Sequence, residues 1–407
     1  MEVTVARVAL VNAVAKAKLG MAARSTLPSL RNVHLQAAEG EGLSAECTDL
    51  DTWVRARIPE AQVQCPGETA VPCNKLLKLL KLFKSLSEAT VTLTQQEFSL
   101  QIVCGTRQFS LPTFPADAYP VREFQCREAE AEFLRQALLD GLQDVLWATS
   151  TGDAIQYMLY SVLFDSEQLV ATNTHKLAIL PFPCASLAGA ILPAKALSSL
   201  GKLWVKSSEE YLTVRVQPHT SSDRSGKSYQ LFDYVEFSTA TESLVLRPIE
   251  GQFPNWRRVV SAGEELYSSS FDVPQGLLEF ARLANELDTG GKLYLTIPDD
   301  GDGTYLLVEF DSSETQKMES VRIPLAHAAE SCYTAVAPRY LQEVLKVVGP
   351  KASVNVPCMV KHNGSGYPIK FVRADGLTVL LMPMRRRDAE CEAALARKQA
   401  QSSPPQL

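Results

Sequence analysis

One short pattern of apolar and polar positions recurs three times along this chain. An apolar residue leads into an amphipathic, lysine-bearing segment at Val71-Pro72, at Leu192-Pro193 and at Val336-Ala337. Aligned on these starts, Leu76, Leu197 and Leu341 superimpose, as do Leu79, Leu200 and Val344, and as do Lys81, Lys202 and Lys346. At about 100° per residue, Leu76, Leu79, Leu80 and Phe83 share one helix face and Lys75, Lys78, Lys81 and Lys84 share the opposite one. Repeats this far apart imply repeated domains, not a solenoid of small units.

The remaining pattern fills in each third. Apolar residues at three- and four-residue spacing predict further helices over residues 5–18, 132–148 and 274–287, giving two per third. Alternation predicts strands over 33–37, 43–47, 52–58, 90–94, 98–104 and 107–111, with turns such as Glu39-Gly40-Glu41-Gly42 between them. The expected fold class is α+β, with three repeated domains that each pack two helices on antiparallel sheets. Their expected bounds are 1–125, 126–262 and 263–387. Residues 388–407 end in Gln-Ser-Ser-Pro-Pro-Gln-Leu and read as a mobile tail.

Charge sharpens this picture. The 407 residues carry a formal net charge of −6, which opposes indiscriminate binding to phosphate unless the positive charges are segregated. The repeated segments segregate them. No carboxylate interrupts residues 72–87; the second copy keeps Lys195, Lys202 and Lys206 without an acid; the third sets Arg339, Lys346 and Lys351 against one Glu343. A single such helix is an ordinary solvated face, but three of one sign form a surface.

Geometry limits what three such domains build. A unit of about 130 residues has a radius of gyration near 14 Å and a diameter of roughly 36 Å. Three touching discs enclose almost no hole, whereas six enclose one about a disc wide, enough for a hydrated duplex. A head-to-tail pair of chains supplies six.

Other chemistry is poorly supported. Nine cysteines are scattered without a CxxC pair, which reads as reduced cytoplasmic thiols and not a disulfide framework or metal site. No leader or long apolar span points to export or to a membrane. Ser225-Gly226-Lys227-Ser228 matches the end of a phosphate-binding loop, but Ser221 stands where its first glycine belongs. Asp299-Asp300-Gly301-Asp302-Gly303 suggests calcium, yet Phe310 occupies the place of the closing acid. No nucleophile elbow is present. Neither a catalytic residue, a cofactor nor a metal is expected.

Four motifs in collinear order carry a resemblance. Arg24-Ser25-Thr26-Leu27-Pro28 with Thr48-Asp49-Leu50, Ala171-Thr172-Asn173-Thr174-His175-Lys176-Leu177-Ala178, Gly251-Gln252-Phe253-Pro254-Asn255-Trp256-Arg257-Arg258-Val259 and Leu380-Leu381-Met382-Pro383-Met384-Arg385 resemble segments of the bacterial sliding clamp, the beta subunit of DNA polymerase III. The resemblance implies a processivity factor: a homodimeric ring in the cytoplasm that encircles double-stranded DNA without reading sequence. It also implies a replicative polymerase, a clamp loader and other peptide-motif proteins as partners.

By the same resemblance, a groove for apolar-anchored peptides is walled by Leu159, Thr172, Thr174, His175, Leu177, Pro254, Val259, Leu380, Leu381, Met382, Pro383 and Met384. Lys176, Arg258 and Arg385 stand at its polar margin. Adaptable methionines suit a hub, although Met-Pro-Met also reads as the close of a C-terminal strand. Arg24 and Tyr157 fall where the family meets DNA, while Lys81, Lys202 and Lys346 are placed on the lining by the repeat. Phe109 and Leu111 match positions that meet the other subunit, near its Leu283 and Leu287; a strand facing its own core shows the same alternation.

Three residues depart from the usual pattern, Asn173 for aspartate, Thr174 for glycine and Lys176 for arginine. They imply a differently shaped groove and leave open a clamp-like paralogue, of a phage or mobile element, with a specialised partner. The tail begins beside this groove and reads as a solvated extension, with cover of the groove as the alternative.

Overall fold

At five points among the described residues a strand runs into a helix with at most one residue between them. The computed structural model describes residues 1–22, 25–83, 90–120, 128–150, 157–222, 228–261, 267–298, 302–312, 318–357 and 367–384. The first third contains β1 (Glu2–Ala6), α1 (Arg7–Ala17), β2 (Asn32–Ala38), β3 (Gly42–Thr48), β4 (Thr52–Ile58), β5 (Gln62–Cys65), β6 (Gly67–Pro72), α2 (Cys73–Leu82), β7 (Thr90–Gln95), β8 (Ser99–Cys104) and β9 (Arg107–Pro112). The middle third continues with β10 (Glu128–Leu134), α3 (Arg135–Leu146), β11 (Ser161–Asp165), β12 (Gln168–Thr172), β13 (Lys176–Pro181), β14 (Ala190–Pro193), α4 (Ala194–Trp204), β15 (Tyr211–Ser222), β16 (Ser228–Ser238), β17 (Glu242–Leu246) and a short α5 (Trp256–Ser261). The last third holds β18 (Tyr267–Asp272), α6 (Leu277–Leu287), β19 (Lys292–Ile297), β20 (Tyr305–Asp311), β21 (Met318–Pro324), β22 (Cys332–Val336), α7 (Pro338–Val348), β23 (Ser353–Pro357), β24 (Ile369–Val372) and β25 (Thr378–Leu381).

The six strands predicted in the first third all form, but the three leading helices start later than their periodicity suggests. Residues 5–6, 132–134 and 274–276 lie outside helix, the first two groups in β1 and β10. Backbone pairing decides this: Val5 pairs with Val91 on β7, and Leu134 with Tyr211 on β15.

The element order is a strand, a helix and a three-strand meander, used twice in each third, with β5 as an addition in the first. The strand before one helix pairs with the first strand after the other helix, as in β1 with β7, β6 with β2, β10 with β15, β14 with β11, β18 with β23 and β22 with β19. Each third therefore interlocks its two halves.

Two compact units divide the described chain. One comprises Met1–Gln143, Tyr160–Glu167 and Pro183–Gly251; the other Asp144–Leu159, Gln168–Phe182 and Gln252–Leu407. The first contains a sheet ordered β5-β1-β7-β8-β9, another ordered β10-β15-β16-β17-β4-β3-β2-β6, and the β11–β14 pair. Helix α1 packs on β3, β4 and α2, burying Leu10 and Val14 against the same core as Leu35, Leu76 and Leu80. The second unit contains the run β12-β13-β25-β24-β23-β18 and a sheet ordered β21-β20-β19-β22, with α6 packed on α7.

Meanders meet by their last strands. Inside the first unit, β4 after α1 pairs with β17 after α4; inside the second, β13 after α3 pairs with β25 after α7. Two terminal meander strands remain at sheet edges: β9, paired only with β8, and β21, paired only with β20, among the described residues.

Candidate functional site

The three recurring helices form with the faces their spacing dictates. Helix α2 buries Cys73, Leu76, Leu77 and Leu80 and leaves Lys75, Lys78 and Lys81 exposed; Leu79 is half-buried. Helix α4 buries Leu197, Leu200, Leu203 and Trp204 and exposes Lys195 and Lys202, while α7 buries Leu341, Val344, Leu345 and Val348 and exposes Lys346. The Lys195 ammonium lies 3.2 Å from an Asp49 carboxylate oxygen. Tyr157, on a short turn at Tyr157–Tyr160, is 75% exposed. Arg24 lies outside the described residues.

In the second unit, the turn between β12 and β13 is fixed by its own side chains. The Asn173 Oδ1 accepts the backbone N–H groups of His175 and Lys176, each at 3.0 Å, and the Thr172 hydroxyl donates to the Lys176 carbonyl at 2.8 Å while accepting from Thr174 N at 3.1 Å. Thr174 is exposed and holds a φ of 75°, the left-handed conformation that glycine adopts freely and a branched residue adopts with strain. The turn thus keeps a glycine-like backbone at this position.

Pairing brings the C-terminal motif against this turn. Lys176 pairs with Leu381 and Leu177 with Leu380; beyond the ladder, Met382 N donates to the His175 carbonyl and Met384 N to the Ala335 carbonyl, both at 2.8 Å. Met382, Pro383 and Met384 are half-buried and His175 is exposed, with its imidazole stacked on Tyr340 at 5.0 Å. Leu380 and Leu381 are buried, 1% and 0% exposed, so their side chains fill the core instead of walling an open groove. Leu159, Thr172 and Leu177 are likewise buried. Pro254 and Val259 are half-buried and Arg258 exposed around the start of α5, where Arg258 N donates to Asn255 Oδ1 at 3.2 Å. Arg385 lies outside the described residues.

Lys176 corrects the expectation of a polar margin. It is 4% exposed; its ammonium donates to the Trp147 carbonyl at 2.7 Å, pairs with the Glu343 carboxylate, and sits 4.7 Å from the Trp147 ring centroid and 5.7 Å from that of Tyr340. Burial lowers its pKa below the ordinary lysine value, with Glu343 opposing the shift. A buried cation needs such partners. Glu343 also accepts from Arg339 Nε at 3.2 Å, tying the pair to the surface of α7. Sequence reasoning missed Trp147, Tyr340 and the role of Glu343. The available signal was that Glu343 is the one acid on an otherwise basic helix face.

The residues matched to a subunit contact are surface-accessible. Phe109, 42% exposed on β9, packs on Phe83 at 5.5 Å; Leu111 is half-buried; Leu283 and Leu287 on α6 are 48% and 52% exposed. No group of three or more metal-ligating side chains occurs among the described residues, and none of the described helices is long and apolar enough to cross a membrane.

Interlocked strand–helix–meander halves, fused through their meander edges, define a clamp fold. Crystal structures share it: the DNA polymerase sliding clamp from Bacillus subtilis matches with a TM-score of 0.80 at 19% identity, and the DNA polymerase III subunit beta from Pseudomonas aeruginosa with 0.78 at 22%, each covering 95% of this chain and 100% of the other. Residues 1–123 match the family described as DNA polymerase III beta subunit, N-terminal domain. The Beta sliding clamp of Escherichia coli K12 is 25% identical over 395 residues, spanning 95% of this chain and all of that protein, and that of Salmonella typhimurium is 26% identical over the same length. Over nearly its whole length the chain is thus a homologue of the bacterial DNA polymerase III beta sliding clamps, processivity factors of DNA replication.

Proposed function

We propose that two copies join head to tail into a ring of six domains around duplex DNA, with bounds near residues 125 and 262, and that the ring tethers a replicative polymerase through the groove at His175 and Met382 to Met384. The strand order carries this reading. Each internal fusion joins a meander that follows a third's first helix to one that follows the next third's second helix, and the two edges left over, β21 and β9, are of those two kinds. Pairing β21 of one copy with β9 of the next repeats the same rule, and two such junctions join a pair of chains into a ring. Phe109 and Leu111 then meet the surface that carries Leu283 and Leu287.

Lys81, Lys202 and Lys346, with Arg24 and Tyr157, contact the DNA in this arrangement. Their contacts are to phosphates, which position a duplex without reading its sequence. The chain works in the cytoplasm, a separate clamp loader opens the ring, and other peptide-motif proteins share the groove.

A second reading, a clamp paralogue with a specialised partner, draws support from Thr174 and the buried Lys176. A preference for peptides other than those of a replicative polymerase would favour it. The central test is retention: protein loaded on closed circular DNA stays bound in high salt and is released when the circle is cut. Equal, salt-sensitive loss from circular and linear DNA overturns encirclement.

A further inference from the structure

A cavity of about 370 Å³ opens in the first unit where the segment entering β2 meets the start of α2. Its apolar walls come from Phe114, Pro28 and Pro72, and its cations from Arg31 and Lys75; among the described residues no carboxylate lines it. Phe114 is 37% exposed, and its backbone N–H donates to the Ala70 carbonyl at 2.8 Å, which holds the residue in place. Arg31 and Lys75 are exposed and form no ion pair among the described residues.

Asn32 also lines the cavity. It is 2% exposed, and its Nδ2 has no hydrogen-bond acceptor among the described residues, a buried donor whose cost a ligand acceptor reaching it would remove. Helix α2 begins here after Pro72 without a side-chain cap, so the positive end of its dipole adds to the two cations.

These parts differ from those of a simple phosphate site. An aromatic face contributes nothing to inorganic phosphate, and a paired base offers its faces only to its neighbours in the stack. An exposed ring beside cations and amides suits an unpaired nucleotide, whose base stacks while its phosphate meets the positive charges. We propose that this cavity binds one unpaired nucleotide of single-stranded DNA, with Phe114 as the stacking platform and Arg31 and Lys75 as the phosphate contacts. The proposal rests on the DNA reading above, since Lys75 belongs to the exposed lysine row of α2. It adds a place where the protein grips a strand that has left the duplex.

The test titrates the full chain with a fluorescent ten-nucleotide oligothymidylate, with a blunt hairpin duplex, inorganic phosphate and an acidic peptide as competitors. Saturable binding of the oligonucleotide is expected, with none of the three competitors displacing it efficiently. Phe114→Ala should weaken it about 5- to 150-fold, the range for losing one stacked base. Phe114→Leu, which keeps apolar bulk and lacks the ring, should also weaken it, with both variants checked for an unchanged unfolding midpoint.

Replacing Arg31 and Lys75 together by glutamine should reduce the salt dependence by about 0.7 per lost phosphate contact. No oligonucleotide binding, wild-type affinity in both folded Phe114 variants, or displacement by the blunt duplex or phosphate would each overturn the proposal; displacement by the acidic peptide would make the cavity a peptide site. Retention of the wild-type protein on circular DNA is read separately, so loss of this site and loss of encirclement are distinguishable.

Discussion

Lys176 concentrates the energetics of the turn between β12 and β13 in one buried charge. Because its pKa lies below the ordinary lysine value, the unfolded chain binds more protons than the folded one between that lowered value and about 10.4. Stability therefore rises with pH across this alkaline window. Glu343 raises the lysine's pKa, so Glu343→Gln should start the rise at lower pH and cost about 1–3 kcal/mol at neutral pH. Urea unfolding from pH 7 to 10 measures both effects; parallel curves for the two proteins would remove Glu343 from this account. At the surface of the proposed groove, Met384→Glu should abolish binding of a polymerase-derived peptide in calorimetry without changing the sedimenting mass, because the Met384 side chain is half-buried and its backbone bond to Ala335 is independent of side-chain identity. The motif residues were legible as a group, but the burial of Lys176 was not. Lysines are rarely fully buried, and the carboxylate that makes this one tolerable lies 167 residues away in sequence.

Helices α2, α4 and α7 show how a face divides its labour. Leu200 on α4 is 0% exposed, so Leu200→Ala should destabilise by about 2–5 kcal/mol. Lys202, two positions on, is exposed, and Lys202→Ala should change stability by less than about 0.5 kcal/mol. On the proposed DNA contact, its loss should lower the slope of log affinity against log salt by about 0.9. Paired denaturation and salt titrations of the two variants separate these roles, and a large loss of stability in the lysine variant would contradict them. The faces of these helices were legible because buried leucines recur at helical spacing. The starts of α2, α4 and α7 were legible as well, directly after Pro72, Pro193 and Ala337, whereas those of α1, α3 and α6 were less so. Ala6 precedes α1 in extended geometry and makes no side-chain cap bond. A strand that turns into a helix without serine, threonine, aspartate or asparagine leaves no local sign of the change. The long-range pairing of β1 and β10 supplies the missing information.

At the scale of the whole molecule, the threefold pattern and the antiparallel class were legible, whereas the exchange of strands between the halves of each third was not. Alternation identifies a strand and says nothing about its neighbour. The two remaining edges give the proposed dimer a specific weakness. Phe109→Lys places a charge on the exposed side of β9, and Leu283→Lys does so on α6; each should shift the sedimenting mass from two chains to one and abolish retention on circular DNA. A dimer of unchanged mass in both variants would place the contact elsewhere. Finally, β9 and β21 are unlike surfaces, so their union has no built-in stop. The angle at which they meet is all that separates a closed pair from an endless polymer. A substitution that tilts this junction by a few degrees while preserving its adhesion should turn a soluble preparation into filaments, visible by electron microscopy.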